Sequence, residues 1–326
     1  MAQTDQRQLA PTAEPAVHHT AHTIEVQAPP EAVYAIVSDV ARWPLRFAPN
    51  VHVEHLERTA TTERIQIWAT ANGEVRTWVS RRELDPENRR VTFRQEVSSP
   101  PVASMRGEWI ITSTADGTSR LELTHDFRAV DDDPVGVEWI ARATDRNSAA
   151  ELDAVRALAE QYAQLGELEL TFEDTVHVDG SADDVFDFLY QAREWPSRLP
   201  HVDRLELEEN VPGIQVMSMD TRTADGSVHT TRSIRVALGR ERILYKQTET
   251  PALMTAHTGE WSLAPAGEGV LVTSRHSVTI RPDAVPTVLG ESATVADARA
   301  FVRKALSTNS TTTLHHARAY AEARRG

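Results

Sequence analysis

The chain has 326 residues and a formal net charge of −14, and it contains no cysteine. The length suits two domains, the charge excludes a nucleic-acid or anionic-membrane partner, each of which needs a basic footprint, and the missing thiols exclude disulfides, thiolate nucleophiles and cysteine-ligated zinc. No apolar run approaches ~18 residues, so no membrane span is expected; residues 1–20, rich in Pro, Ala and Gln, lack the segments of a secretory signal and read as a disordered tail on a cytoplasmic protein.

His22–Gln27 alternates apolar and polar residues, which predicts a strand. Pro29-Pro30 ahead of Glu31–Val37, with Val33, Ile36 and Val37 apolar, predicts a short helix. Trp43-Pro44 falls in the break after it. Six β stretches follow, near residues 51–58, 63–70, 75–84, 90–97, 104–113 and 119–130. Turn signals at Asn72-Gly73, Asp85–Asn88, Pro100-Pro101 and Asp116-Gly117 separate them. Asp131–Asp133 reads as a solvated loop. Asp145–Gln164, apolar at Leu152, Val155, Leu158, Ala159 and Tyr162, predicts a closing amphipathic helix.

The same order then begins again. Trp43-Pro44 recurs as Trp195-Pro196, and Gly107-Glu108-Trp109 as Gly259-Glu260-Trp261, each 152 residues later. A repeat of about 150 residues is a whole small domain rather than a solenoid unit. The expected boundaries are 21–165 and 166–326. The fold class is α+β, with two tandem domains, each a curved antiparallel sheet wrapped around a long C-terminal helix and enclosing a pocket. Gly166–Phe172 carries little turn chemistry, so the domains are expected to lie close, as a pseudo-dimer within a monomer.

Strand alternation places Arg76, Trp78, Ser80 and Arg82 on one face, and His229, Thr231, Ser233 and Arg235 on its counterpart. Met105, Gly107 and Trp109 share a face, as do His257, Gly259 and Trp261. His125 lies among Leu121, Leu123 and Phe127, and His276 among Val272, Ser274 and Val278. A histidine so placed suits proton transfer, although singly it is more often a hydrogen-bonded core residue. Arginine on a strand is more often a surface residue, and tryptophan a core filler. The joint recurrence of Ser, Arg and His makes these the candidate catalytic groups. His315-His316 point about 100° apart on a helix and do not share a metal. No Walker loop, Rossmann glycine pattern, nucleophile elbow or His-Glu-x-x-His occurs.

Ala28-Pro-x-x-x-Val33, Trp43-Pro44, Gly73-x-Val-x-x-Trp78-Val-Ser80-x-Arg82 and the Trp109 strand resemble the aromatase/cyclases of bacterial type II polyketide synthases. The duplication resembles their di-domain subclass. The resemblance implies a helix-grip fold, similar to START and plant-allergen domains, with a deep pocket. It implies that Arg82 and Arg235 contact substrate oxygens, and that Ser80, His125, Ser233 and His276 act beside them. Trp43, Trp78, Met105 and Trp109 would bind substrate in the first unit, and His201, His257 and Trp261 in the second. Asn309–Thr313 looks like the polar run of the family's terminal helix. The second unit departs from the pattern with Thr231 in place of Trp78.

The implied reaction is regiospecific intramolecular aldol cyclisation, dehydration and aromatisation, or dehydration and aromatisation alone, of the first ring of a carrier-bound poly-β-ketone. It requires no redox cofactor and no metal. The implied partners are an acyl carrier protein and other type II synthase components. Arg142 and Arg146, or Arg303-Lys304, are candidate docking cations. Two other readings compete: a non-catalytic hydrophobic-ligand carrier, which an apolar pocket would favour, and a carrier-protein docking scaffold with one inactive domain.

Overall fold

The computed structural model describes residues 16–325 except 72, 223–225 and 227. In the first half β1 (His18–Val26) leads into α1 (Pro30–Ser38) and α2 (Trp43–Arg46). Strands β2 (Asn50–Arg58), β3 (Thr62–Ala71), β4 (Glu74–Asp85), β5 (Arg90–Gln95), β6 (Val102–Ser113) and β7 (Ser119–Ala129) follow, and α3 (Pro134–Glu160) and α4 (Tyr162–Leu168) close it. The second half repeats the order: β8 (Glu169–Val178), α5 (Ala182–Tyr190), α6 (Trp195–Arg198), β9 (Val202–Val211), β10 (Ile214–Arg222), β11 (Val228–Leu238), β12 (Arg242–Glu249), β13 (Met254–Ala266) and β14 (Gly269–Ile280). It ends in α7 (Val285–Leu289) and α8 (Val295–Glu322).

Each half forms one seven-stranded antiparallel sheet, ordered β1-β7-β6-β5-β4-β3-β2 and β8-β14-β13-β12-β11-β10-β9. The first strand returns beside the last, so consecutive hairpins close into a curved layer around a helix. Leu152, Val155 and Ala159 of α3 pack with Val33, Ile36, Trp109, Leu121 and Leu123 to form the first core. Leu314, Ala317 and Ala321 of α8 pack with Val185, Leu189, Trp261 and Val272 to form the second. These are the two tandem helix-grip domains expected. Among the described residues no helix is long and apolar enough to cross a membrane.

Three sequence readings need correction. His18–Thr20, taken as the end of the tail, belong to β1, where they pair with Phe127, Asp126 and His125 of β7. Their composition was that of a tail, but a neighbouring strand supplies the hydrogen bonds. Residues 1–15 of that segment lie outside the described residues. The closing helix starts at Pro134, well before Asp145, and Asp133 is its N-cap: the carboxylate accepts from the Gly136 amide at 2.9 Å and the Val135 amide at 3.4 Å. Asp followed by Pro is a helix-start signal. The stretch after it showed no clear apolar stripe because part of its inner face borders a cavity rather than a core. Finally, α4 ends at Leu168 and β8 begins at Glu169, so the expected 165/166 boundary falls inside a helix.

The domains share an interface. Four successive residues of β11, Ser233 to Val236, are buried, so both faces of that strand are covered. Ser233 and Arg235 face inward, while Ile234 and Val236 pack outward against Val51 and Trp68 of the first domain. Arg46 pairs with Glu169 at 3.3 Å, and Arg242 donates to Glu54 at 3.1 Å. Lys246, also buried, donates to the carbonyl oxygens of Phe47, Ala48 and Asn50 at 2.8, 2.9 and 2.8 Å. An ammonium has three donors, and here each has an acceptor in the other domain.

Candidate active site

Each domain encloses a cavity between its sheet and its long helix. The first measures about 350 Å³ and the second about 140 Å³. Every site residue assigned from the sequence lines one of them. Trp43, Trp78, Ser80, Arg82, Met105, Trp109 and His125 line the first. His201, Ser233, Arg235, His257, Trp261 and His276 line the second.

Arg82 is 2% exposed. Its Nη1 donates to Glu63 and, at 3.5 Å, to the Ser38 carbonyl; its Nη2 donates to the Val37 carbonyl at 2.7 Å. These carbonyls end α1, so a guanidinium there answers the negative end of a helix. The Trp43 ring lies 4.9 Å from the guanidinium carbon, held by its Nε1 donating to the Ile36 carbonyl. Trp-Pro therefore closes one side of the arginine's site. Burial lowers the Arg82 pKa to about 10, against the opposing pull of Glu63, so the group remains a cation at neutral pH. Ser80 donates to the Arg94 carbonyl at 3.2 Å.

His125 sits edge-on to Phe93, with ring centroids 5.5 Å apart, and its Nδ1 has no hydrogen-bond partner among the described residues. Burial pushes its pKa down to about 4, so it is neutral at pH 7. On the helix side Thr144, Asn147, Ser148 and Glu151, three or four residues apart, face the same space. Glu151 is exposed to solvent where it meets this space.

The second site keeps the frame and changes the chemistry. Arg235 is also 2% exposed and donates to the Leu189 carbonyl at 2.5 Å and to the Gln215 side chain at 2.8 Å. Trp195 covers it at 5.0 Å and is held by the Phe188 carbonyl. His276 stands where His125 stands in the first domain, but here it has partners. Tyr245 Oη and His257 Nε2 lie 3.1 and 3.0 Å from its Nδ1, and Ser274 Oγ lies 3.1 Å from its Nε2. Burial pushes His276 down to about 4 and His257 well below the usual imidazole range, while it raises Tyr245. All three are neutral at pH 7.

The motif glycines explain the ring positions. A Cβ on Gly259 would come within 2.2 Å of the Tyr245 ring, and one on Gly107 within 2.5 Å of Phe93. Each glycine leaves room for an aromatic ring to lie across the neighbouring strand.

Sequence reasoning missed Glu63, Gln215, Tyr245 and Glu151. The first three lie on strands next to the ones that carried the motif, and finding them requires the pairing register, which places Glu63 opposite Arg82, Gln215 opposite Arg235 and Tyr245 opposite Gly259. Glu151 sits on the predicted helix and was detectable there as a carboxylate beside the apolar stripe. The polar run on the last helix does reach the cavity, through Asn309, Ser310 and Thr313.

The sequence matches one family twice, over residues 17–160 and 169–322: polyketide cyclase/dehydrase and lipid transport. The granaticin polyketide synthase bifunctional cyclase/dehydratase of Streptomyces violaceoruber is 49% identical over 304 residues, 93% of this chain and 94% of that protein. The actinorhodin polyketide synthase bifunctional cyclase/dehydratase of Streptomyces coelicolor is 46% identical over 317 residues, 94% of this chain and 98% of that protein. The crystal structure of the di-domain ARO/CYC BexL, from the BE-7585A biosynthetic pathway, superposes with a TM-score of 0.85 at 51% identity, covering 94% of this chain and 99% of that one. With both halves matched and the full-length architecture shared, this chain belongs to the polyketide cyclase/dehydrase and lipid transport family.

Proposed function

We propose that the protein is a polyketide aromatase/cyclase that closes, dehydrates and aromatises the first ring of a carrier-bound poly-β-ketone. What supports this most is the recurrence of a buried arginine, a serine and a neutral histidine in both cavities, within a chain so similar to named cyclase/dehydratases. A purely apolar carrier would not bury two guanidinium groups.

A poly-β-ketone in water cyclises without selectivity. A pocket that fixes one fold of the chain supplies orientation, which is worth several kcal/mol. In the aldol step an enolate carbon attacks a ketone, a C–C bond forms, and negative charge builds on the former carbonyl oxygen. Arginine N–H groups not bound to the protein stabilise that charge. The alkoxide then takes a proton. In dehydration a base removes the α-proton, the C–O bond breaks, and the hydroxyl leaves as water after receiving a proton. A histidine that is neutral at pH 7 serves as the base, and Glu151, exposed on the helix side of the first cavity, exchanges protons with solvent. Ser80 and Ser233 orient a carbonyl.

The partner in this reading is an acyl carrier protein. Trp139, exposed at the rim of the first cavity, shares a face of α3 with exposed Arg142 and Arg146, which suits an acidic carrier delivering its chain. A cytoplasmic location fits such a partner. The functional units run from β1 to α4 and from β8 to α8, with the boundary between Leu168 and Glu169. The test is reconstitution with a minimal polyketide synthase, with and without a ketoreductase. Intact protein should give one aromatic first-ring product, and Arg82→Ala or Arg235→Ala should divert the chain to shunt products. A product profile unchanged by intact protein in both settings would reject the proposal.

A further inference from the structure

Glu63 and Gln215 hold corresponding positions, 152 residues apart, each directly across a strand pair from the buried arginine of its domain. In the first domain this cross-strand partner is a carboxylate. Arg82 and Glu63 are 2% and 1% exposed at the side chain and form an ion pair, so their charges cancel inside the wall. The second Glu63 oxygen pairs with His55 Nε2 at 3.0 Å. In the second domain the partner is an amide. The Gln215 oxygen accepts from Arg235 at 2.8 Å but carries no charge.

The carboxylate beyond Gln215 is Glu209. Its oxygens already accept from Gln215 Nε2 at 2.9 Å, the Gly213 amide at 2.9 Å and the Tyr190 hydroxyl. It touches Arg235 only through the amide, although its charge still acts on the guanidinium from a distance. Around this cavity Tyr245, His257 and His276 are neutral at pH 7, and the remaining titratable groups, His201 and His229, are imidazoles that cannot supply a negative charge. A buried cation without a contacting countercharge is costly unless a ligand supplies one. Size points the same way. An apolar cavity of ~150 Å³ holds one benzene ring, and the second cavity measures about 140 Å³ against 350 Å³ for the first.

We propose that the second cavity is an anion-selective ring pocket, which takes one six-membered ring carrying a negatively charged oxygen on Arg235. The first cavity, charge-balanced at Arg82–Glu63, takes the neutral, longer chain. Gln215 and Glu63 are then the specificity-determining pair. This rests on the reading of the cavities as substrate sites, but it is tested by binding and not by turnover. A ring oxygen that has become acidic on aromatisation has the chemistry that Arg235 selects.

The experiment is calorimetric titration of the full-length protein at neutral pH with benzoate and with benzamide, which share a shape and differ in charge. Benzoate should bind at one site, about ten-fold or more tighter than benzamide. Gln215→Glu should weaken benzoate and so abolish that preference. Glu63→Gln should create a second benzoate site, a gain that no folding defect produces. Equal affinities in the parent protein, or a preference that survives Gln215→Glu, would overturn the charge assignment and leave the cavities as binding sites. Absence of binding by both ligands would overturn the ring pocket itself. A negative product analysis together with a benzoate preference would instead count against the catalytic reading alone.

Discussion

The ammonium of Lys246, on the second sheet, donates to the carbonyl oxygen of Asn50 in the first domain at 2.8 Å, and Phe47 and Ala48 complete its shell. Phe47 and Asn50 line the first cavity, so part of its wall is held from the other domain. Burial lowers the lysine's pKa to about 8, which leaves it charged at neutral pH. Lys246→Met removes a donor from the buried Phe47 carbonyl, at about 1–3 kcal/mol, and from the less buried Ala48 and Asn50 carbonyls at a smaller cost, partly offset by relief of ammonium desolvation. We expect a net loss of about 3 kcal/mol in urea unfolding, together with shunt products like those of variants in the first cavity. A loss within experimental error would mean that water takes over the lysine's contacts.

The two arginines differ in what they leave behind. Arg82→Met strands the Glu63 carboxylate in the interior, at a cost of about 3–5 kcal/mol. Arg235→Met leaves a neutral amide that still donates to Glu209, at a cost of about 1–2 kcal/mol. Adding Glu63→Leu to Arg82→Met should recover most of the loss. Denaturant midpoints of the four proteins check this, and equal losses for the two single variants would contradict it.

Tyr245 and Phe93 differ by one hydroxyl. Tyr245→Phe removes a partner of His276 and should slow the water-loss step while changing stability by no more than about 1 kcal/mol. The reverse change, Phe93→Tyr, places a hydroxyl close to the unpartnered Nδ1 of His125. Accumulation of a cyclised but still hydroxylated intermediate, followed by mass spectrometry, should rise in the first variant. Unchanged accumulation would remove Tyr245 from the reaction.

His125 and His276 both titrate near 4 in the folded protein, below the ordinary value of ~6.5 for an unfolded chain. Between those values the unfolded chain binds more protons. Their contribution is therefore fully present above pH ~6.5 and is lost as the pH falls towards ~4. His276→Gln should flatten that acid limb by about 2–3 kcal/mol, read as unfolding free energy against pH. An unchanged slope would show that the ring is more hydrated than its burial implies.

The architecture was legible because its signal is carried by rare residues and simple alternation. Trp43, Trp109 and their repeats marked two domains, and alternation along β4 and β11 brought Ser80 and Arg82 to the concave face of the first sheet and Ser233 and Arg235 to that of the second. What alternation cannot provide is register. Glu63 opposite Arg82 and Tyr245 across from Gly259 depend on how hairpins pair, which is decided by turns and packing. Nor does a pattern shared by both domains reveal the interface between them. Ile234 and Val236 read as ordinary outward residues of one strand, and only their burial against Val51 and Trp68 shows otherwise. The early start of α3 was obscured for a related reason, since a helix that borders a cavity lacks a complete apolar stripe.

Gly107 and Gly259 hold their aromatic neighbours by leaving space rather than by bonding to them. A ring seated in a backbone gap keeps its place whether its far end carries hydrogen or hydroxyl. The glycine thus separates the inheritance of shape from the inheritance of chemistry. After duplication, one copy can gain or lose an acid–base group by a single oxygen atom, with the sheet, the helix and the twin pocket undisturbed. Divergence between the two halves should therefore gather at ring tips and cross-strand partners, while the glycines beneath them stay fixed.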